Sequence, residues 1–295
     1  MTASLSMPDV ADGSHEHFTR FGFIRFTQLF SATDIARLRD ICDGLFAQQS
    51  ADEQFVTNLL VAAPELAPIL LSLPLGRALA DLLGDDFVCL DEFVLHRGFY
   101  ARWHKDTSSP ENRGFDFFWD PTFSVIQVAV YLQDNGGPGK GGGLDVVPGS
   151  HVLEDYAAAA ARKRAAMEAA PTPSLMARAL SKATRFLEPI RRLDLPGLRA
   201  DPLERMTGNR QSIMSRAGDV VAFNLRTMHR ATPGGSDPNA PHKLAIFFTA
   251  GPKNRSTYAY SEWLKAYRDG PVTPPASWVE LRARIGKDDA TPGST

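Results

Sequence analysis

The chain has 295 residues, 43% of them hydrophobic and 22% charged, enough to bury a substantial core in one large domain or two small ones. Lys and Arg total 32 against 34 Asp and Glu, a formal net charge of −2, which argues against a nucleic-acid or membrane-surface partner. No run of about 18 apolar residues occurs, and residues 1–17 lack a basic start followed by an apolar stretch, so a cytoplasmic protein without a membrane span or secretory signal is expected.

In chain order, residues 1–13 read as a loose tail. Ser31-Ala32-Thr33-Asp34 reads as a capped helix start, and Ile35, Leu38, Ile41, Cys42, Leu45 and Phe46 then recur at helical spacing. A second helix, interrupted near Pro74, is expected through Leu75, Leu79, Leu82 and Leu83 and ends at Gly84. Beyond it, short apolar or alternating runs at 87–97, 123–132, 144–147, 220–223 and 244–249 are punctuated by Gly, Pro, Asn and Asp, the pattern of an antiparallel sandwich or barrel. Residues 152–195 turn Ala-rich and basic, which predicts two inserted helices, either packed on the barrel or serving as a lid. Residues 287–295 read as a second loose tail. Cys42 and Cys89 fall on a helix and a strand, as small buried hydrophobes rather than a disulfide. No internal repeat is present.

Two distant stretches carry chemistry. Trp103-His104-Lys105-Asp106 and Thr227-Met228-His229 supply two imidazoles and one carboxylate, the ligands of a mononuclear ferrous centre that keeps positions open for oxygen. A lone His-x-Asp arises by chance in roughly one chain in three of this composition, so context must carry the reading. In an extended segment, residues two apart leave on the same side, which lets His104 and Asp106 reach one ion. His229 is the preferred third ligand because the turn and apolar strand 217–223 lead towards it; His151 is its rival. His15 and His17 read as surface residues, His96 as a core or pocket-wall residue, and His242 as a residue before a strand.

These segments carry a family resemblance. Trp103-His104-Lys105-Asp106, the strand 130–135, the stretch 142–151 ending in Pro148-Gly149-Ser150-His151, and 217–223 followed by His229 resemble, in order, the phytanoyl-CoA dioxygenase family of Fe(II)- and 2-oxoglutarate-dependent oxygenases. The resemblance spans residues 18–250, including an opening Phe21-Gly22-Phe23-Ile24. It implies a mostly β protein with flanking helices, a double-stranded β-helix of the jelly-roll or cupin-like kind with a helical insertion. The expected organisation is a single oxygenase domain over 1–295: N-terminal helices at 18–86, a β-helix core at 87–250 with the insertion at 152–195, and a C-terminal extension at 251–295.

The resemblance also implies cofactors and roles. Fe(II) would be held by His104, Asp106 and His229, with 2-oxoglutarate and O2 as cosubstrates. The distal carboxylate of 2-oxoglutarate needs a cation in a dry pocket. Where the family usually places an arginine this chain has Lys243, a point charge rather than a fork; Arg226 or Arg230 are alternatives. Gln127 and Tyr131 share a strand face and are expected to donate hydrogen bonds to the cosubstrate. Arg97, Arg102, Arg113, Phe115 and Trp119 are candidate substrate contacts, which would suit an anionic small molecule. Retention of Asp106, where halogenating relatives carry a small residue, points to hydroxylation of an unactivated carbon in a small-molecule metabolite. A cupin-like metal-dependent hydrolase and a non-catalytic jelly-roll binding protein are the alternatives.

Overall fold

The computed structural model describes residues 14–136, 141–152, 210–233, 243–267 and 274–288. The chain divides into two units, 1–152 with 209–295 and 153–208, and all the described residues belong to the first. The helices expected within 152–195, His242, the N-terminal tail and residues 289–295 of the C-terminal one lie outside the described residues; Lys287 and Asp288 instead end a helix, Trp278–Asp288.

The N-terminal helices form where the sequence places their signals. Helix α1 spans Ser14–Phe21 and α2 spans Ala32–Ala47. The Ser31 hydroxyl accepts the Asp34 N–H while the Asp34 carboxylate accepts the Ser31 N–H, so both orphan donors of the first turn are satisfied. Ile35, Leu38, Cys42 and Phe46 form the buried stripe of α2. The interruption expected near Pro74 falls at Leu71 and Ser72, just before it. Pro74 stands in the first turn of α5, Leu73–Leu83, where its missing N–H costs nothing; Ser72 caps that turn, and Ala67–Leu70 is a separate short helix, α4.

Two antiparallel sheets follow, with the architecture of the double-stranded β-helix. The larger has seven strands. Its main path runs β1 (Phe23–Phe26), β7 (Val220–Asn224), β4 (Ile126–Tyr131), β9 (Leu244–Gly251), β3 (Val88–Arg97) and β10 (Ala276–Ser277), with β2 (Phe55–Val56) on β3. The smaller runs β6 (Gln211–Ile213), β5 (Leu144–Val146) and β8 (His229–Ala231).

The long strands are apolar on both faces because each face serves a different layer. Ile126, Val128 and Val130 of β4, Val220 and Ala222 of β7, and Leu244, Ile246, Phe248 and Ala250 of β9 pack with the N-terminal helices in one core. The alternate residues Ala129, Tyr131, Val221, Phe223 and Ala245 instead meet Leu144, Val146 and Ile213 of the smaller sheet. That second, thinner layer holds the candidate site. Among the described residues, no single helix is long and apolar enough to cross a membrane; the bent pair Pro64–Leu70 and Leu73–Leu83 gives its Leu66, Leu70, Leu75 and Leu79 side chains to the first core.

Candidate metal centre and its cavity

Backbone pairing brings the two ligand-bearing stretches together. His104 and His229 form an antiparallel bridge in which each N–H donates to the other's carbonyl at 2.9 Å. The Asp106 N–H donates to the Leu225 carbonyl, fixing the chain one step further on. One ligand atom each from His104, Asp106 and His229 falls within 4.8 Å of the others, close enough to share an ion. The Asp106 Oδ1 lies 3.3 Å from His104 Nε2 and 3.8 Å from His229 Nε2.

Both imidazoles are oriented from behind. His104 Nδ1 lies 2.7 Å from the Arg102 carbonyl and His229 Nδ1 lies 2.9 Å from the Thr227 carbonyl. A carbonyl can only accept, so each Nδ1 carries a proton and each Nε2 is left as the atom that takes up either a second proton or a metal ion. Burial alone would raise the Asp106 carboxyl, but the imidazoles of His229 and His104 overcome it and hold it below the usual carboxylate range. For His104, burial is outweighed by the Asp106 hydrogen bond and charge, so its imidazole is raised; for the more deeply buried His229, burial wins and the imidazole is lowered. Without a cation, Asp106 is therefore paired chiefly with a protonated His104. A divalent metal replaces that proton. Two neutral imidazoles and one carboxylate suit ferrous iron with open positions.

The turn at Pro148-Gly149-Ser150-His151 buttresses both stretches. The Lys105 ammonium donates to the Ser150 carbonyl at 2.9 Å, and the Met228 N–H donates to the Ser150 hydroxyl at 2.8 Å. His151 is turned elsewhere, its Nε2 lying 3.0 Å from the Thr19 carbonyl, so the rival ligand stands outside the set.

The three side chains open on a cavity of about 220 Å³. Gln127, Tyr131 and Lys243 line it as well. Lys243 is 5% exposed; its ammonium donates to the Phe99 carbonyl at 2.9 Å, and burial pushes it down to about 8. Gly142, at φ +88°, lets the backbone pass against this lysine, where a Cβ would lie 3.2 Å from Lys243 Cγ. Among the described residues the buried Tyr131 hydroxyl has no hydrogen-bond partner, an arrangement that costs free energy until a ligand supplies one. The Gln127 amide is tied to β9, donating to the Phe248 carbonyl at 3.3 Å. A buried ammonium beside an orphaned phenol fits the distal carboxylate of a keto acid chelated at the triad.

Other sequence candidates lie elsewhere. Arg226 donates to the Phe118 and Phe123 carbonyls, and Arg230 pairs with Asp145 at 2.8 Å over the Trp103 ring, so neither alternative cation lines the cavity. None of the five expected substrate contacts is among the residues that line this cavity. Arg97 donates to the carbonyls of Ser50, Ala51 and Glu53 and stacks on Phe46. Arg102 is exposed and contributes its carbonyl to His104; Arg113 stacks on Tyr267, and Phe115 packs edge-on against that ring. Trp119 packs beside Phe118 in a separate core under helix α7, Arg255–Tyr267. His17, expected at the surface, is half-buried against Phe21 and Phe23.

Phe99 and Phe223 join Phe247, which shares the Lys243 face of its strand, as aromatic walls of the cavity that the sequence did not single out. The sequence left His96 between core and wall; the structure places it on the wall. Strand alternation contained the signal, since His96 pairs with Ala245, and Lys243, Ala245 and Phe247 share one face of their strand.

Two imidazoles and one carboxylate opening on a cavity of a double-stranded β-helix define the class of mononuclear non-haem iron, 2-oxoglutarate-dependent oxygenases. The chain belongs to the phytanoyl-CoA dioxygenase (PhyH) family, whose sequence profile matches residues 93–238. That match contains His104, Asp106 and His229 and ends before Lys243. No curated protein matches the chain by sequence. Among solved structures, HygX from Streptomyces hygroscopicus with nickel and 2-oxoglutarate bound is 18% identical, with a TM-score of 0.56 over 83% of this chain and 88% of its own. The epimerase SnoN, in complex with Fe3+, alpha-ketoglutarate and nogalamycin RO, is 17% identical, with a TM-score of 0.52 over 90% and 93%. EctD from S. alaskensis is 18% identical, with a TM-score of 0.52 over 85% and 79%. At these identities the likeness carries the fold.

Proposed function

We propose that this chain is an Fe(II)- and 2-oxoglutarate-dependent dioxygenase that hydroxylates an unactivated carbon of a small-molecule metabolite. The observation that carries the reading is the convergence of the His104, Asp106 and His229 donor atoms at the mouth of a cavity containing a buried lysine and an orphaned phenol. His104, Asp106 and His229 would hold the iron, and Lys243 would pair with the distal carboxylate of 2-oxoglutarate, with Tyr131 and Gln127 beside it.

When bound, iron with 2-oxoglutarate and O2 supplies an oxidant able to attack an unreactive C–H bond, leaving succinate and CO2. The protein orients and shields that chemistry. The carbonyls of Arg102 and Thr227 fix which nitrogen each imidazole presents. Phe99, Phe223 and Phe247 keep the cavity wall apolar, which limits water near the reacting carbon. Asp106 would supply the third protein ligand to the iron, which would favour hydroxyl transfer over incorporation of an outside anion.

The nogalamycin RO held by SnoN supports a small-molecule acceptor here. The test is O2-dependent release of succinate from 2-oxoglutarate by the Fe(II)-loaded chain, followed by a metabolite screen for compounds that accelerate it. Oxygen-dependent succinate, absent in His104→Ala, supports the reading; a metal-loaded protein that never consumes 2-oxoglutarate refutes it.

A further inference from the structure

The cross-strand register places His96 of β3, Ala245 of β9 and Tyr131 of β4 in one row. Ala245 contributes only a methyl at the centre of that row, between an imidazole on one side and a phenol on the other. Lys243 stands at the next same-face position beyond Ala245, its carbonyl accepting the Gly98 N–H at 2.9 Å. His96, Tyr131 and Lys243 all line the cavity that holds the metal-ligand triad.

Two of these three side chains have polar groups that a ligand in the cavity could meet. The Tyr131 hydroxyl is fully buried and, among the described residues, without a partner. The His96 ring is fixed by aromatic contacts, with Phe247 at 4.5 Å, Phe55 edge-on at 4.9 Å and Phe99 at 5.8 Å; among the described residues, neither of its nitrogens makes a hydrogen bond. Aromatic packing alone would be met by a phenylalanine; the imidazole adds a donor and an acceptor on the cavity wall. Burial, reinforced by the Lys243 charge, keeps this imidazole neutral, pushing it down to about 3. A neutral imidazole can donate one N–H without adding a second buried cation.

A carboxylate offers about four acceptor positions, and an ammonium meets it as a point charge where an arginine would grip it with a fork. We propose that His96 is a cosubstrate-selecting residue, donating a hydrogen bond to the distal carboxylate of 2-oxoglutarate across Ala245 from Tyr131 and so supplying the directionality that Lys243 lacks. This rests on the dioxygenase reading above. It predicts that His96 decides between keto acids with and without a second carboxylate, while leaving the chelating end untouched.

The test is calorimetric titration of the Ni(II)-loaded full chain, a redox-inert form, with 2-oxoglutarate and with 2-oxopentanoate, which has the same keto-acid head and length but no distal carboxylate. In His96→Phe, which keeps the ring contacts and removes the nitrogens, the ratio of the two affinities should fall by roughly ten-fold or more, because a hydrogen bond to a charged group is lost. His96→Gln should recover part of that ratio. An unchanged ratio in His96→Phe, or an equal loss for both keto acids, overturns the proposal. If His96→Phe fails to load nickel, His96→Leu is measured in the same way, with the same two outcomes. Wild-type protein that binds nickel but not 2-oxoglutarate overturns the dioxygenase reading itself, and the His96 assignment with it.

Discussion

Lys243 carries a cost that only a ligand can recover. Burial takes its ammonium from the usual lysine value of 10.5 down to about 8, and at about 1.4 kcal/mol per pH unit the buried charge costs the empty fold about 3 kcal/mol. The sign follows from proton binding. Below pH 8 both folded and unfolded chains carry the proton, and the full penalty is present. Between about pH 8 and 10.5 the unfolded chain holds the proton and the folded chain releases it, so stability rises with pH through that window. Lys243→Met keeps the aliphatic stem and removes the charge. It should therefore stabilise the metal-free protein at pH 7 by up to about 3 kcal/mol and flatten the rise between pH 8 and 10.5. The same variant should lose 2-oxoglutarate binding, because the distal carboxylate would be buried unpaired. Urea unfolding at pH 7 and pH 10, with and without 2-oxoglutarate and Ni(II), reads both effects. A Lys243→Met protein no more stable than wild type at pH 7, with the same pH slope and undiminished keto-acid binding, would refute the reasoning.

Asp106→Ala should abolish metal binding while lowering the thermal midpoint by only a few degrees, since the carboxylate lies at the cavity mouth; metal analysis and a melting scan decide it. Metal affinity should rise with pH until the His104 imidazole, raised because the Asp106 hydrogen bond and charge outweigh burial, has lost its proton, as titration with a colorimetric chelator will show. Gly22→Ala should destabilise the fold by about 2 kcal/mol or more in denaturant unfolding. Gly22 holds φ +80°, and a Cβ there would lie 2.3 Å from His151 Nδ1 and 2.7 Å from Thr227 Oγ1. Phe248→Ala, in the core between sheet and helices, should cost about 3–5 kcal/mol by the same measurement.

The parts of this molecule that local rules dictate could be read from the sequence. The Ser31–Asp34 cap, the strand runs and the two-residue spacing of His104 and Asp106 depend on neighbours in the chain, and each forms as its residues require. Lys243, just before β9, and Gln127 and Tyr131 on β4 are placed by the family resemblance, with strand alternation giving the face each shares; all three line the cavity. The arginines show where this kind of inference stops. A guanidinium near a candidate site looks the same in sequence whether it faces a substrate or backbone carbonyls, and Arg97 finds its acceptors 44 to 47 residues earlier in the chain. Arg226 reaches carbonyls 103 and 108 positions away. His96 posed the converse problem. Its strand is apolar on both faces, so periodicity could not separate a core imidazole from one on a cavity wall until the pairing with Ala245 fixed its side.

The most direct test is anaerobic absorption spectroscopy of the Fe(II)-loaded chain titrated with 2-oxoglutarate. Chelation by the keto acid should produce a visible metal-to-ligand charge-transfer band that saturates at equimolar iron and is absent from His229→Ala. Iron that binds elsewhere, seen as full occupancy in His229→Ala with the same band, would contradict the account.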